Sequence, residues 1–129
     1  MSNSKSALGY NGGLTCSMQV TDLARSIKWY EEKLGFKLLY KVDQIGWAEL
    51  ATEVPGVNLG LGQVEKITAR GNVKLTFGVK DVGAARSMLE AKGVKFDGPT
   101  VTYPGMVMLA TFFDPDENVS MFFQDLSGH

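Results

Sequence analysis

Few side chains in this 129-residue chain could carry proton-transfer, nucleophilic or metal chemistry. There is one histidine, His129, at the last position, and one cysteine, Cys16. Without an internal histidine, neither a Ser-His-Asp nor a Cys-His arrangement can be assembled. Among the ionisable residues in strand-like runs, two are candidates for a site: Lys74 in "VKLTFGV" and Glu49 in "GWAELAT". A lysine on a ligand-facing surface could bind an anion, or act as an acid or base with a depressed pKa. Its alternative is a flexible stem that carries the ammonium out to water or to an acid. Glu49 is either the ion-pair partner of Lys74 or a solvated carboxylate, depending on which way its strand turns Trp47 and Glu49. Tyr103 is a third group available for acid–base work.

The apolar residues Trp47, Tyr103, Met106, Met108, Met121 and Phe123 could line a site for a flat apolar ligand. Ordinary core or dimer packing uses the same residue types. The "LGLG" run, Leu59 to Gly62, lacks the Lys-Ser/Thr of a phosphate loop and sits within a strand. Its glycines instead allow a ligand or a neighbouring backbone to come close. Cys16 is expected to be an inert thiol on the helix side of its strand. Asn118 opens a glycosylation sequon, "NVS", that carries no weight without a secretory signal.

These residues must be held by a scaffold, and the bulk composition fits a globular one, with 44% hydrophobic and 21% charged residues. A chain of this length is expected to form a single domain over 1–129, able to bury a core without staples. A single cysteine allows no intrachain disulfide. A net charge of −1 argues against a nucleic-acid partner, which calls for a basic face. The sequence has no membrane-length apolar run, and "MSNSKSALGYNGG" lacks the apolar stretch of a signal peptide. The expectation is a soluble, cytoplasmic protein with no membrane partner.

Residues 1–12 read as a loose polar lead-in. From Leu14 the pattern alternates: Leu14, Cys16, Met18 and Val20 point one way, and Thr15, Ser17 and Gln19 the other. Asp22 caps a helix whose stripe is Leu23, Ile27, Tyr30 and Leu34, and Gly35 stops it. Three strand-like runs follow, "FKLLYKV", "GWAELAT" and "VNLGLGQV", with turn signals at Asp43–Gly46 and Pro55-Gly56. The order then repeats. "VKLTFGV" places Val73, Leu75, Phe77 and Val79 on one face and Lys74, Thr76 and Gly78 on the other. Asp81 caps a second helix with the stripe Val82, Ala85 and Leu89, ended by Gly93. The runs "VKFDGPTVTY", "MVMLATFF" and "VSMFFQD" complete the set. Asp22 and Asp81 lie 59 residues apart, which marks a duplication of one strand–helix–three-strand unit. The expected fold is α+β: two βαβββ modules, about 13–64 and 72–125, forming a curved mixed-sheet cup with the helices on the outer face. Thr15, Ser17, Gln19, Lys74 and Thr76 would face into the cup.

The stretch "MQVTDLARSIKWYEEKLGFKL" resembles the opening of the glyoxalase/bleomycin-resistance/extradiol-dioxygenase (vicinal oxygen chelate) superfamily, through Val20, Asp22, Leu23, Ser26, Trp29, Tyr30 and Leu34-Gly35-Phe36. "FFDPDENVSMFF" resembles the superfamily's final hairpin, with Glu117 where glycine is usual. The resemblance covers about residues 14–124. It implies the fold but not one activity, because this fold hosts lyases, dioxygenases, isomerases and binding proteins. It also implies four metal-ligand positions, which fall here on Thr15, Gly60, Lys74 and Met121. A divalent ion at such a site favours imidazole and carboxylate. The resemblance therefore leads to a metal-independent, cofactor-free binding protein, similar in kind to the bleomycin-resistance proteins. Its partner would be an apolar or aromatic small molecule held by Thr15, Ser17, Gln19, Trp47, Glu49, Lys74, Thr76, Met108, Met121 and Phe123. The alternatives are a metal-free lyase or isomerase using Lys74, Glu49 and Tyr103, and a metal-dependent lyase or dioxygenase. A homodimer is expected by analogy with the fold.

Overall fold

The computed structural model describes residue 7, residues 9–69 and residues 73–128. Parts of the expected lead-in, the expected start of the second module at residue 72, and His129 lie outside the described residues. The chain divides into two compact units, one ending at Ile67 and the other beginning at Thr68.

In the first unit the alternating run forms strand β1, Leu14–Val20, and leads into helix α1, Leu23–Leu34. The Asp22 carboxylate accepts from the Arg25 backbone N–H at 3.0 Å, and Gly35 ends the helix at φ 75°. Strands β2 (Lys37–Val42), β3 (Trp47–Ala51) and β4 (Val57–Gln63) follow, with a 3-10 turn over Asp43–Ile45 between the first two. The sheet order is β1-β4-β3-β2, with β1 parallel to β4 and the other pairs antiparallel. Helix α1 packs on one face. Leu23, Ile27 and Tyr30 are buried with Val20, Ala48, Leu50, Leu59 and Leu61. Period two then fixes the opposite face, which carries Thr15, Ser17, Trp47, Glu49, Asn58 and Gly60.

The second unit repeats this plan. Strand β5 (Leu75–Gly78) lies parallel to β9 (Val119–Asp125), and β8 (Val107–Phe113) pairs antiparallel with β9. Helix α2 spans Val82–Ala91. Asp81 caps it, accepting from the Ala84 N–H at 3.0 Å, and Gly93 follows at φ 84°. Both sheets are mixed, so the fold is α+β as expected.

Two expectations need correction. "VKLTFGV" forms a strand only from Leu75, so Lys74 precedes β5 and is exposed. "VKFDGPTVTY" is two short strands, β6 (Lys95–Phe96) and β7 (Val101–Tyr103), both paired with β8. Gly98 at φ 70° and the donor-less Pro99 interrupt the ladder between them. The Asp97 N–H still reaches the Thr111 carbonyl at 2.8 Å. Arg86 of α2 secures the break: its guanidinium donates to the Gly98 carbonyl (2.8 Å) and Thr100 Oγ1 (3.2 Å), and lies 4.6 Å above the Phe96 ring.

Candidate functional site

On the face of the first sheet turned away from α1, one carboxylate collects three hydrogen bonds. Glu49 sits on β3 opposite Tyr40 of β2 and Gly60 of β4. Its Oε1 accepts from the Tyr40 hydroxyl at 2.8 Å. Its Oε2 accepts from Thr15 Oγ1 at 3.0 Å and Asn58 Nδ2 at 2.9 Å. The Trp47 indole N–H donates to the Tyr40 oxygen at 3.2 Å and extends the network to a fifth side chain. The Asn58 amide first, then the Tyr40 hydroxyl, and to a smaller extent Thr15, hold the Glu49 carboxyl below its ordinary value of 4.5, against the opposing effect of burial.

Gly60 explains how Trp47 lies. A Cβ on Gly60 would overlap Cη2 of Trp47 and sit 2.7 Å from its Cζ2. The indole therefore lies flat across β4 at a place where only glycine leaves room. The close approach expected at "LGLG" is real, but a side chain of the same sheet makes it. In the second unit Gly78 plays the same part for Phe123, where a Cβ would stand 2.9 Å from the ring's Cζ. Each sheet thus carries an aromatic ring over a glycine on its helix-free face.

Glu49, Trp47 and Thr15 come together as one network, and the open question of how Glu49 and Trp47 are turned is resolved in favour of the helix-free face. Ser17 and Gln19 lie on the same face of β1. Met121 and Phe123 share the helix-free face of the second sheet with Thr76 and Gly78. Met108 does not. It pairs with Gln124, whose Oε1 accepts from the Val82 N–H at the start of α2 at 2.9 Å, so both residues lie on the helix side. Leu109 and Thr111, opposite Phe123 and Met121, occupy the places expected for Met108. The three donors to Glu49 all come from its own sheet. The Thr76 hydroxyl donates back to the Lys74 carbonyl at 3.3 Å. Tyr103 on β7 is exposed, as is Met106 in the turn before β8. Sequence reasoning missed Tyr40 and Asn58. The signal for Tyr40 was a hydroxyl-bearing aromatic in the strand-like run "FKLLYKV", but only cross-strand register brings it to Glu49.

A family model for the Glyoxalase/Bleomycin resistance protein/Dioxygenase superfamily matches residues 14–122. The chain belongs to this superfamily. Among solved structures of similar fold is an antibiotic binding protein from Streptomyces sp. CB03234, 28% identical, with a TM-score of 0.73 over 93% of this chain and 98% of that one. A lactoylglutathione lyase from Agrobacterium tumefaciens superposes with a TM-score of 0.71 at 14% identity, over 89% of this chain and 94% of that one. A lactoylglutathione lyase from Oryza sativa subsp. japonica is 31% identical over 114 residues. The match takes in 77% of this chain, which spans only 39% of the length of that relative.

The superfamily positions expected to ligate metal offer a hydroxyl at Thr15, no side chain at Gly60, an ammonium at Lys74 and a thioether at Met121. This donor set does not fit a divalent ion that calls for imidazole and carboxylate. Among the described residues, no three His, Cys, Asp or Glu side chains come together as a metal site. Likewise, no described helix is long and apolar enough to cross a membrane.

Proposed function

We propose that this superfamily member binds and sequesters a small molecule with an apolar or aromatic body on its helix-free sheet faces, without a metal. The observation that carries this reading is Trp47, laid flat on Gly60 and tied through Tyr40 to Glu49. A ring fixed in this way is a preorganised stacking platform, and preorganisation lowers the entropy cost of binding. Phe123 on Gly78, flanked by Met121, is an apolar surface of the same kind. An antibiotic-binding relative with near-complete mutual coverage supports a binding role.

The likeness to lactoylglutathione lyase favours a second reading, a lyase or isomerase; the donor set at the superfamily's metal positions would make it a metal-free one. Glu49 is poorly suited to be its base, because three donors stabilise the carboxylate and weaken its proton affinity. Thermal-shift screening of aromatic compounds, with and without chelator, separates the readings when each hit is also assayed for conversion. Binding that survives chelation and returns the compound intact is expected. Chemical conversion of the bound compound would overturn sequestration, and loss of binding on chelation would overturn metal independence.

The same proposal extends to a cytoplasmic homodimer. Leu38, Leu39 and Tyr40 on edge strand β2, with Ile45 beside it, are apolar and exposed. Light scattering is expected to give twice the chain mass at tens of micromolar, and a monomer mass would refute pairing.

A further inference from the structure

We infer that Glu49 makes the helix-free face of the first sheet a receptor for a protonated amine carried on an aromatic body. This rests on the binding reading above and adds the charge of the ligand. The donors to Glu49 are a hydroxyl, an amide and a phenol, all neutral. They hold the negative charge in place but do not cancel it. Glu49 takes part in none of the ion pairs among the described residues. The nearest cation on the neighbouring strand in register, Lys41, opposes Ala48 and pairs with Asp43 at 3.5 Å.

The acceptor count points to the same place. A carboxylate offers about four lone-pair positions. Oε2 uses two, on Thr15 and Asn58, and Oε1 uses one, on Tyr40. One acceptor position remains on Oε1. The Tyr40 hydroxyl spends its proton on Glu49 and accepts from the Trp47 indole, which leaves it a further lone pair. An ammonium group has three donors and can serve both oxygens at once. A carboxylate-bearing ligand would meet a like charge at this point, and a neutral alcohol would gain no charge assistance.

The test uses the full chain labelled with ¹⁵N. With two tryptophans in the sequence, the indole resonance lost in Trp47→Phe identifies Trp47 and gives a reporter inside the site. The probes are matched sets that share a ring system and differ at the end: tryptamine, tryptophol and indole-3-propionate, and the corresponding naphthalene amine, alcohol and carboxylate. The amines are expected to shift the Trp47 indole signal and to bind on the order of ten- to a hundredfold tighter than the alcohols, with the carboxylates weakest. Glu49→Gln is expected to abolish the amine preference, read as the ratio of amine to alcohol affinity within the variant. Raising the salt concentration on the wild-type protein gives an independent measurement should the variant fold poorly, since the amine preference must shrink as the charge is screened. Equal binding of amine and alcohol by wild type, a preference that survives Glu49→Gln or high salt, or tighter binding of the carboxylate would overturn the inference and leave the binding reading standing. Failure of every probe to bind would overturn both.

Discussion

Glu117 has φ 65°, the one left-handed backbone angle outside glycine among the described residues. It closes the turn before β9, where its N–H reaches the Asp114 carbonyl at 2.9 Å. Asp114 also accepts from the N–H groups of Asp116 and Asn118, both at 2.8 Å, so the turn is held from several sides. A side chain in this conformation costs about 1–2 kcal/mol, and glycine removes that cost while adding some unfolded-state entropy. Glu117→Gly is expected to raise stability by about 0.5–1 kcal/mol in urea unfolding, and a loss of stability would show that the carboxylate makes up for the strain. Glu49 predicts a pH effect. Its folded pKa lies below the ordinary 4.5, so its contribution to stability is complete above that value and is lost as pH falls through the folded pKa. The stability gap between wild type and Glu49→Gln should be level from pH 6 to 8 and close as pH drops below about 4.5. A gap that widens in acid would contradict the hydrogen-bond network.

Both helices begin in the same way, through one device visible in the sequence and one that is not. The visible device is the aspartate cap, Asp22 and Asp81. The other is a glutamine at the far end of the strand that pairs with each module's first strand: Gln63 Oε1 accepts from the Leu23 N–H at 2.7 Å, as Gln124 does from Val82. Each helix start thus has a second donor satisfied by the sheet beneath it, which fixes the helix position as well as its boundary. Arg86 is the second element-scale device. It holds the broken strand of β6 and β7 through planar, directional bonds and a ring contact that an ammonium cannot reproduce. Arg86→Lys is therefore expected to lose about 1–3 kcal/mol, nearly as much as Arg86→Ala. Full retention of stability by Arg86→Lys in thermal unfolding would mean that charge alone suffices.

At the scale of the molecule, duplication has produced two sheets of one plan with different helix-free faces. The first carries the charged, hydrogen-bonded group around Glu49, and the second the apolar pair Met121 and Phe123. Neither brings together the imidazole and carboxylate ligands that divalent ions at such sites favour. Elemental analysis of the purified protein is accordingly expected to find no stoichiometric nickel, zinc, iron or manganese. One equivalent of metal that resists chelator dialysis and is lost in Thr15→Ala or Glu49→Gln would refute this.

Alternation and capping are local, so the residues themselves determined β1, both helices, their stops at Gly35 and Gly93, the duplication, and the side of β1 on which Thr15, Ser17 and Gln19 lie. The superfamily was legible for the same reason, because its motif is made of cap, stripe and turn. Register between strands is not local. It depends on where each turn ends, and a single position reverses the face of a whole strand. That is why Met108 reads from the sequence as a binding residue and folds toward α2, while Leu109 and Thr111 take the open face. It is also why the donors to Glu49, which are Tyr40, Asn58 and Thr15 from three other strands, are not legible in the sequence.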